Sequence, residues 1–164
     1  YVIDGTQTDA KGVYPTGTVY FNPPGSGHQI MNSSGFFILA YASPPDFAST
    51  NLIEEYTPVR IETGDMGAYA FEPAGSSMRK YDVPIDAAGG LSGTFIELGS
   101  PDELYDFTGN YLLVLQGSCD VEGVAVGEQT LIVTKTVQPE PFEVAATAGG
   151  SCLALGVSFV APAQ

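Results

Sequence analysis

His28 is the residue in this sequence that most directly indicates chemistry, because imidazole is the commonest protein ligand for transition metals. It is the only histidine among 164 residues. Gly17, Pro23 and Gly25 precede it in the segment GTVYFNPPGSGHQIMN (residues 17–32). The Pro-Pro-Gly run breaks a strand ladder, since proline removes a backbone donor and fixes φ. We therefore expect this break to turn His28 out of the regular pleat and toward the interior of a β-structure.

The spacing G-x5-P-x-G-x2-H-x3-N resembles the second motif of the cupin superfamily, whose histidine is usually one of three that bind a metal inside a small β-barrel. The longer run from Tyr1 to His28 is similar to the cupins of ChrR-type anti-sigma factors and of dihydroxyacetophenone dioxygenases. The resemblance is specific over residues 1–45 and thins beyond them. The positions that carry it are Asp9, Gly12, Tyr14, Pro15, Gly17, Asn22, Pro23, Pro24, Gly25, Ser26 and His28.

The segment YLLVLQGSCDVEGVAVGEQTLIV (residues 111–133) resembles the core hairpin of cupins, especially the C-terminal one of phosphomannose isomerases. The metal motif is degenerate there. Gln138 stands where the histidine would be, and Glu103, Tyr105 and Asn110 stand near the other ligand positions. Tyrosine and asparagine are poor ligands for Fe, Mn or Zn. The resemblance therefore implies that the second half is a metal-free barrel whose role is packing.

The fold predicted from these resemblances is all-β, with two tandem cupin-type (RmlC-like jelly-roll) barrels. Residues 1–75 would form the first barrel, which lacks its opening strands in this chain, and residues 76–164 the degenerate second one. Twenty Gly, twelve Pro, nine Tyr and nine Phe suit many short strands joined by tight turns. The predicted strands are 1–5, 18–22, 36–42, 59–61, 67–71, 80–84, 93–98, 111–115, 119–126, 130–133, 142–146 and 152–160. A polar turn is predicted at 6–12, and a hairpin around 127–129.

The first metal-binding motif of a cupin, with two histidines and a glutamate, would lie upstream of Tyr1. Either the chain is a fragment whose parent supplies those ligands, or it is complete and His28 has a structural role. For these 164 residues alone we expect no tightly bound metal, since one imidazole does not hold a divalent ion. In the parent protein the resemblance implies one Fe, Zn or Mn, with open positions for O2 or an oxygen-bearing substrate.

The resemblance thus implies a metal-dependent cupin, with dioxygenation of a small oxygenated organic substrate as its reaction if the first motif is supplied. The alternative is a non-catalytic cupin module that binds a small acid, a sugar or a partner. A relative of sugar-phosphate isomerases is disfavoured, because phosphate binding needs cations and the chain has five Lys and Arg in all. No catalytic residue is assigned.

Aromatic residues near the His28 strand are the predicted substrate-pocket wall: Tyr20, Phe37 and Tyr41. Phe36 is an alternative to Phe37, because strand alternation puts the two on opposite faces. A structural interpretation, in which these side chains simply fill a barrel core, covers at least two of them.

A net charge of -14 makes nucleic acid and an anionic membrane surface improbable partners, because both require clustered cations. No apolar run reaches the ~18 residues of a membrane span. The chain opens at Tyr1 without a basic segment, so we expect no signal peptide, and without Met, which suits a processed or truncated product. We expect an acidic, soluble protein, cytoplasmic by preference, with a homodimer as the default.

Cys119 and Cys152 are the only cysteines. They could form one disulfide if their strands lie side by side, but we favour two reduced, buried thiols. Neither has a histidine nearby in the sequence to activate a thiolate, so a cysteine nucleophile is disfavoured.

Overall fold

The computed structural model describes residues 1–23, 25–27, 29–40, 53, 55–85, 91–135 and 139–159. Fourteen β-strands and one short 3-10 segment (Thr63–Ala68) are found in this part of the chain. The strands are β1 (Val2–Asp9), β2 (Gly12–Pro15), β3 (Thr18–Phe21), β4 (Ile30–Phe37), β5 (Val59–Glu62), β6 (Glu72–Pro73), β7 (Met78–Asp82), β8 (Leu91–Leu98), β9 (Tyr105–Phe107), β10 (Tyr111–Val121), β11 (Val124–Gly127), β12 (Leu131–Val133), β13 (Phe142–Ala146) and β14 (Cys152–Phe159). The prediction of an all-β fold is confirmed.

The C-terminal part is a nine-stranded sheet that curls into a half-barrel, as in an all-β jelly roll. Seven strands follow one another in the order β6-β7-β8-β14-β10-β13-β9, and β11 and β12 also pair with β10. Strand β10 changes partners along its length. Its first half pairs with β12 and β14, and its second half pairs with β11 and β13.

A bulge in β10 makes this change of partners possible. Val114 pairs with Ala154 and Gln116 pairs with Leu153, so Leu115 is an extra residue in the ladder. Gly117 follows with φ +74°, and a Cβ there would lie 2.0 Å from the carbonyl oxygen of Ser151. Only glycine fits that close approach.

Strand alternation gives the sheet two apolar faces, each with its own core. The first core lies within the curl and includes Ile96, Leu112, Val114 and Ala154. The bulge shifts the period of β10, so that the odd-numbered Cys119 and Val121 also face this core. The second core covers the opposite face, and its buried members are Val19, Ile61, Val83, Phe95, Leu113, Leu115, Leu153, Leu155 and Val157.

The preference for two reduced thiols is wrong, because Cys119 and Cys152 are joined in a disulfide within the first core. The pairing of β10 with β14 brings their Cα atoms to 5.3 Å, which is within the usual range for a bridge. Disulfides form mainly in oxidising compartments, so this pair counts against the predicted cytoplasmic location.

The N-terminal part contains two small antiparallel sheets, β2-β1-β4 and β3-β5. Gly17, in the turn before β3, has a positive φ of +83°. One face of the β3-β5 pair carries Val19 and Ile61 into the second core. Both halves of the sequence therefore contribute to one apolar cluster, and the division at residue 75 into two barrels stays a prediction.

Several strand boundaries differ from those predicted. The polar residues 6–9 continue β1 instead of forming a turn, and residues 67–68 belong to the 3-10 segment instead of a strand. Strand β4 ends at Phe37, before most of the predicted strand 36–42, of which residues 41–42 lie outside the described residues. Segments β11 and β12 each pair with β10 and do not form the predicted hairpin with one another. Within the described residues, no helix is long and apolar enough to cross a membrane.

Candidate ligand-binding site

Polar side chains line the inner side of the β1-β2 hairpin. Gln7 and Tyr14 are cross-strand partners, so their side chains share a face. Asp9 lies two residues along β1 and falls on the same face by alternation. All three are almost completely buried, with 1%, 2% and 4% of their surfaces exposed for Gln7, Tyr14 and Asp9. Burial of three polar residues on one strand pair is unusual, because such positions are normally apolar.

The β3-β5 pair faces this hairpin with aromatic and charged side chains. Tyr20 stacks on Tyr14, with ring centroids 4.2 Å apart and an angle of 18° between the planes. The Arg60 guanidinium lies 5.5 Å from the centre of the Tyr14 ring and also forms an ion pair with Glu62. Asn22 follows β3 on the Tyr20 side by alternation. We call Gln7, Asp9, Tyr14, Tyr20 and Asn22 the N-terminal interior.

Two buried oxygens of the N-terminal interior have no hydrogen-bond partner among the described residues. They are Gln7 Oε1 and Asn22 Oδ1. A buried polar atom left without a partner costs about 1–3 kcal/mol, which is why native proteins contain few of them. Two such atoms in one interior indicate that something outside the described residues completes their hydrogen bonds.

Asp9 sets the electrostatics of this interior. Its Oδ1 accepts hydrogen bonds from the backbone amides of Lys11 (2.7 Å) and Gly12 (3.0 Å), which closes the turn between β1 and β2. Burial, together with the negative charge of Asp9 and a hydrogen bond with its carboxylate, raises the pKa of Tyr14 to about 12. The Tyr14 phenol is therefore a neutral hydrogen-bonding group at physiological pH.

A second tyrosine lies at the edge of the same region. The Lys11 ammonium is 4.4 Å from the centre of the Tyr56 ring, a cation–π contact. Burial raises the pKa of Tyr56, and the charge of Asp9 adds to that effect, while a hydrogen bond with Ser26 opposes it. Tyr56 is thus also a neutral phenol near pH 7.

The described residues of this interior do not by themselves fit a transition metal. They supply one carboxylate, Asp9, together with amide and phenol oxygens, whereas such sites use three or four imidazole, thiolate or carboxylate ligands. No group of three or more His, Cys, Asp or Glu that could hold a metal occurs in the described part of the chain. His28 lies outside the described residues.

The predicted pocket residues are only partly placed. Tyr20 lies in the N-terminal interior, and Tyr41 is outside the described residues. Phe37 is partly buried opposite Val2, at the end of the β1-β4 ladder farthest from Asp9, while Phe36 is 72% exposed. Of the two phenylalanines, Phe37 is thus the better buried. The pocket of Tyr20, Phe37 and Tyr41 stays a prediction.

Sequence reasoning did not select Gln7, Asp9, Tyr14 or Asn22 as site residues. The signal that could have found Gln7 and Asp9 is the segment Thr6-Gln7-Thr8-Asp9, in which threonine alternates with a longer polar residue, as in a strand with polar residues on both faces. Because all four residues are polar, the sequence predicts a turn there.

The residues of the second half that stand near the metal-ligand positions of cupins have other contacts where the structure describes them. The Glu103 carboxylate accepts hydrogen bonds from the Ser77 hydroxyl and from the backbone amides of Ser77 and Ser76, the last two at 2.6 Å. These bonds, the hydroxyl bond most of all, lower the pKa of Glu103. Tyr105 packs against the first core, and Asn110 Oδ1 accepts from the Phe159 amide at 2.8 Å. Gln138 lies outside the described residues.

A separate cleft beside the 3-10 segment is too small for an organic ligand. It has a volume of about 160 Å³ and contains the Arg79–Glu97 ion pair. Pockets for small molecules typically measure ~300–1,000 Å³.

Comparison with known proteins gives only distant similarity. No family model matches the sequence, and no curated protein matches it. Among solved structures, Rhodobacter sphaeroides SigE in complex with the anti-sigma ChrR matches at 18% identity and a TM-score of 0.45, over 57% of this chain and 49% of that chain. Apo-HppE matches at 14% identity and a TM-score of 0.43, over 57% and 55%.

A third solved structure, an RmlC-like cupin from Shewanella frigidimarina NCIMB 400, matches at 14% identity and a TM-score of 0.39, over 60% of this chain and 87% of that one. The chain spans about half of the length of the first two structures. At these values the similarity establishes neither a family nor an activity for this chain.

Proposed function

We propose that this protein binds a small oxygenated organic molecule in the N-terminal interior. The observation that carries the proposal is the pair of buried oxygens, on Gln7 and Asn22, that have no hydrogen-bond partner among the described residues. A ligand that completes their hydrogen bonds would recover the free energy lost by burying them. Of the functions inferred from the sequence, the non-catalytic binding module needs only the residues described here.

The chemistry of the interior selects for a neutral or weakly charged ligand. Hydroxyl and carbonyl groups can pair with the amides of Gln7 and Asn22 and with the Tyr14 phenol, each of which both donates and accepts. The buried carboxylate of Asp9 disfavours a ligand with several negative charges. A hydroxyketone or a sugar fits these requirements better than a dicarboxylate does.

The test is an NMR titration of the 164-residue chain with hydroxyacetone, glucose and succinate. We expect hydroxyacetone or glucose to shift the side-chain amide resonances of Gln7 and Asn22, with succinate weaker. Tyr14→Phe removes only the hydroxyl and should weaken binding by about tenfold, the equivalent of one hydrogen bond.

Tyr111→Phe is the matched control, because it makes the same change on β10, where the ring packs against Phe159. It should leave binding unchanged. If none of the three compounds shifts the Gln7 or Asn22 resonances, or if both phenylalanine variants bind equally well, the proposal is wrong.

A metal-dependent function is the second candidate, and the motif around His28 favours it. Here His28 would be one of several ligands of Fe, Zn or Mn, the others coming from outside the described residues. A bound metal would supply open positions for O2 or for a substrate oxygen, which is the basis for a dioxygenase. The interior would then orient the substrate beside it.

Elemental analysis of the longest natural form of the protein separates the two candidates. About one Fe, Zn or Mn per chain, lost in His28→Ala, would support the metal-dependent function. Metal content that His28→Ala leaves unchanged, or no bound metal in that form, would contradict it and leave the binding proposal standing.

A further inference from the structure

Strand β4 contains an acceptor sequence for N-linked glycans. The required pattern is asparagine, then any residue except proline, then serine or threonine. Asn32-Ser33-Ser34 fits this pattern. The other three asparagines of the chain do not, because the second residue after each of them is proline, isoleucine or leucine. The sequence therefore offers one position for such a modification, Asn32.

The side chain of Asn32 points away from the N-terminal interior. Asn32 is the cross-strand partner of Thr8, whereas Ser33 is the partner of Gln7, which is buried in that interior. Since alternate residues of a strand lie on opposite faces, Asn32 and Ser34 share the outer face of the sheet. The amide that would accept the glycan and the hydroxyl that the pattern requires therefore project from the same side of β4.

The surface around Asn32 suits a bulky, hydrophilic group. Seven of the eight residues of β4 are exposed, and Asn32 is one of them. Met31 and Phe36 on the same strand are 68% and 72% exposed, and residues 29–40 contain no charged side chain. This part of the surface thus has exposed apolar side chains and no charge of its own to keep it soluble. A glycan is bulky and solubilising, so at Asn32 it would supply what the side chains do not.

The disulfide is a second and independent indication. Cys119 and Cys152 are bonded, and disulfides form mainly in secreted proteins and in other oxidising compartments. Acceptor sequences for N-linked glycans are used in secreted proteins. The two cysteines lie on β10 and β14, far along the chain from β4, yet both features indicate the same route of maturation.

We propose that Asn32 is a modification site that carries an N-linked glycan. The donor is an oligosaccharide attached through its anomeric carbon to a lipid diphosphate. The amide nitrogen Nδ2 of Asn32 forms a C–N bond to that carbon as the C–O bond to the diphosphate breaks. The lipid diphosphate leaves and the amide loses one proton, so the transfer needs no oxidant or reductant.

The deciding test is mass spectrometry of the protein purified from its natural source. Trypsin cleaves after Lys11 and Arg60, so Asn32 lies in a single peptide, residues 12–60. We expect this peptide to carry an oligosaccharide that peptide:N-glycosidase removes, which converts Asn32 to aspartate. If the peptide carries an unmodified Asn32 throughout the sample, the proposal is overturned.

Substitutions test the acceptor sequence itself, in chain that is secreted from cultured eukaryotic cells behind a secretion leader. Asn32→Gln and Ser34→Ala should each abolish the glycan. Ser33→Ala is the matched control and should keep it, because the middle residue of the pattern is free to vary. A glycan that survives Ser34→Ala, or one that is lost in Ser33→Ala, would contradict the assignment to Asn32.

A conservative variant separates loss of the acceptor from damage to the strand. The Ser34 hydroxyl accepts a hydrogen bond from the Thr6 amide at 3.2 Å, so Ser34→Ala also removes a contact between β4 and β1. Ser34→Thr keeps a hydroxyl and still fits the pattern, so it should remain glycosylated. Loss of the glycan in Ser34→Thr as well as in Ser34→Ala would count against the proposal.

Discussion

The two interiors of this protein are built from the same kind of strand but filled differently. The first core, in the C-terminal sheet, is apolar and closed by the Cys119–Cys152 disulfide. The N-terminal interior buries Gln7, Asp9 and Tyr14, and within the described part of the chain its oxygens Gln7 Oε1 and Asn22 Oδ1 lack hydrogen-bond partners. The first arrangement stabilises the fold, whereas the second lowers stability unless something binds. This difference is the basis for proposing ligand binding in the N-terminal interior and a purely structural role for the first core.

The two interiors are not independent in stability. The second core joins Val19 and Ile61 of the N-terminal part to Leu113 and Leu155 of the C-terminal sheet. A substitution in either interior should therefore change the free energy of unfolding of the whole chain. Substitutions in each interior in turn therefore test whether the two have different roles.

The largest effect is expected from removing the disulfide. Cys119→Ala combined with Cys152→Ala should lower the free energy of unfolding by about 3–4 kcal/mol, because the bridge closes a loop of 33 residues in the unfolded chain. Urea denaturation measures the change. We expect a single transition at lower urea, since the second core couples the two parts.

The same double variant tests the separation of roles. Its ligand binding, measured at a temperature where the chain is folded, should match that of the unchanged protein. If the double variant loses ligand binding while it remains folded, the first core contributes to the site and the contrast between the two interiors fails.

The strands of the C-terminal part are easier to predict from the sequence than those of the N-terminal part. The sequence predicts β8, β13 and β14 close to their observed bounds, because each is a largely apolar run bounded by turn signals, and such runs do not depend on distant partners. It predicts β10 as two strands, 111–115 and 119–126, whereas the structure has one strand from Tyr111 to Val121. The predicted strand at the N-terminus ends at residue 5, whereas β1 continues to Asp9, because the polar residues 6–9 do not form an apolar run. Polar residues on a buried strand are explained only by what they face, which is a property of the tertiary structure.

The roles of single residues were harder to predict than the strands. Cys119 and Cys152 are 33 residues apart, and only the pairing of β10 with β14 brings them together. Glu103 stands near a metal-ligand position of cupins, but its carboxylate accepts hydrogen bonds from the backbone amides of Ser76 and Ser77. In both cases the partner comes from a distant segment, and sequence spacing does not report such partners.

A smaller effect, of opposite sign, is expected from Gln7→Leu. Leucine has a similar volume, and it removes an amide oxygen that is buried without a partner among the residues that the structure describes. The free energy of unfolding should therefore rise by about 1–2 kcal/mol, while ligand binding weakens. Thermal unfolding with and without ligand measures both changes.

Gln116→Leu is the matched control for that substitution, because the Gln116 side chain donates a hydrogen bond to the Thr63 carbonyl at 2.9 Å. Losing this bond should lower stability, by about 0.5–1.5 kcal/mol. A loss of stability in Gln7→Leu as large as that in Gln116→Leu would mean that Gln7 is satisfied within the fold and that the N-terminal interior is structural.

The smallest effect is a shift in one phenol titration, and it reports the electrostatics of the N-terminal interior directly. NMR of ¹³C-labelled tyrosine should show Tyr14 titrating at about 12, above its ordinary pKa near 10, because of burial and the charge of Asp9. Since the folded chain holds this proton more tightly than the unfolded chain does, the stabilisation is complete below about pH 10 and is lost as pH rises to about 12. Asp9→Asn should lower the pKa of Tyr14 but not restore it fully, because burial remains, whereas Asp106→Asn, an exposed aspartate on β9, should leave it unchanged. Equal pKa values of Tyr14 in the two variants would show that the Asp9 carboxylate does not act on the phenol, and the polar character assigned to this interior would then rest on burial alone.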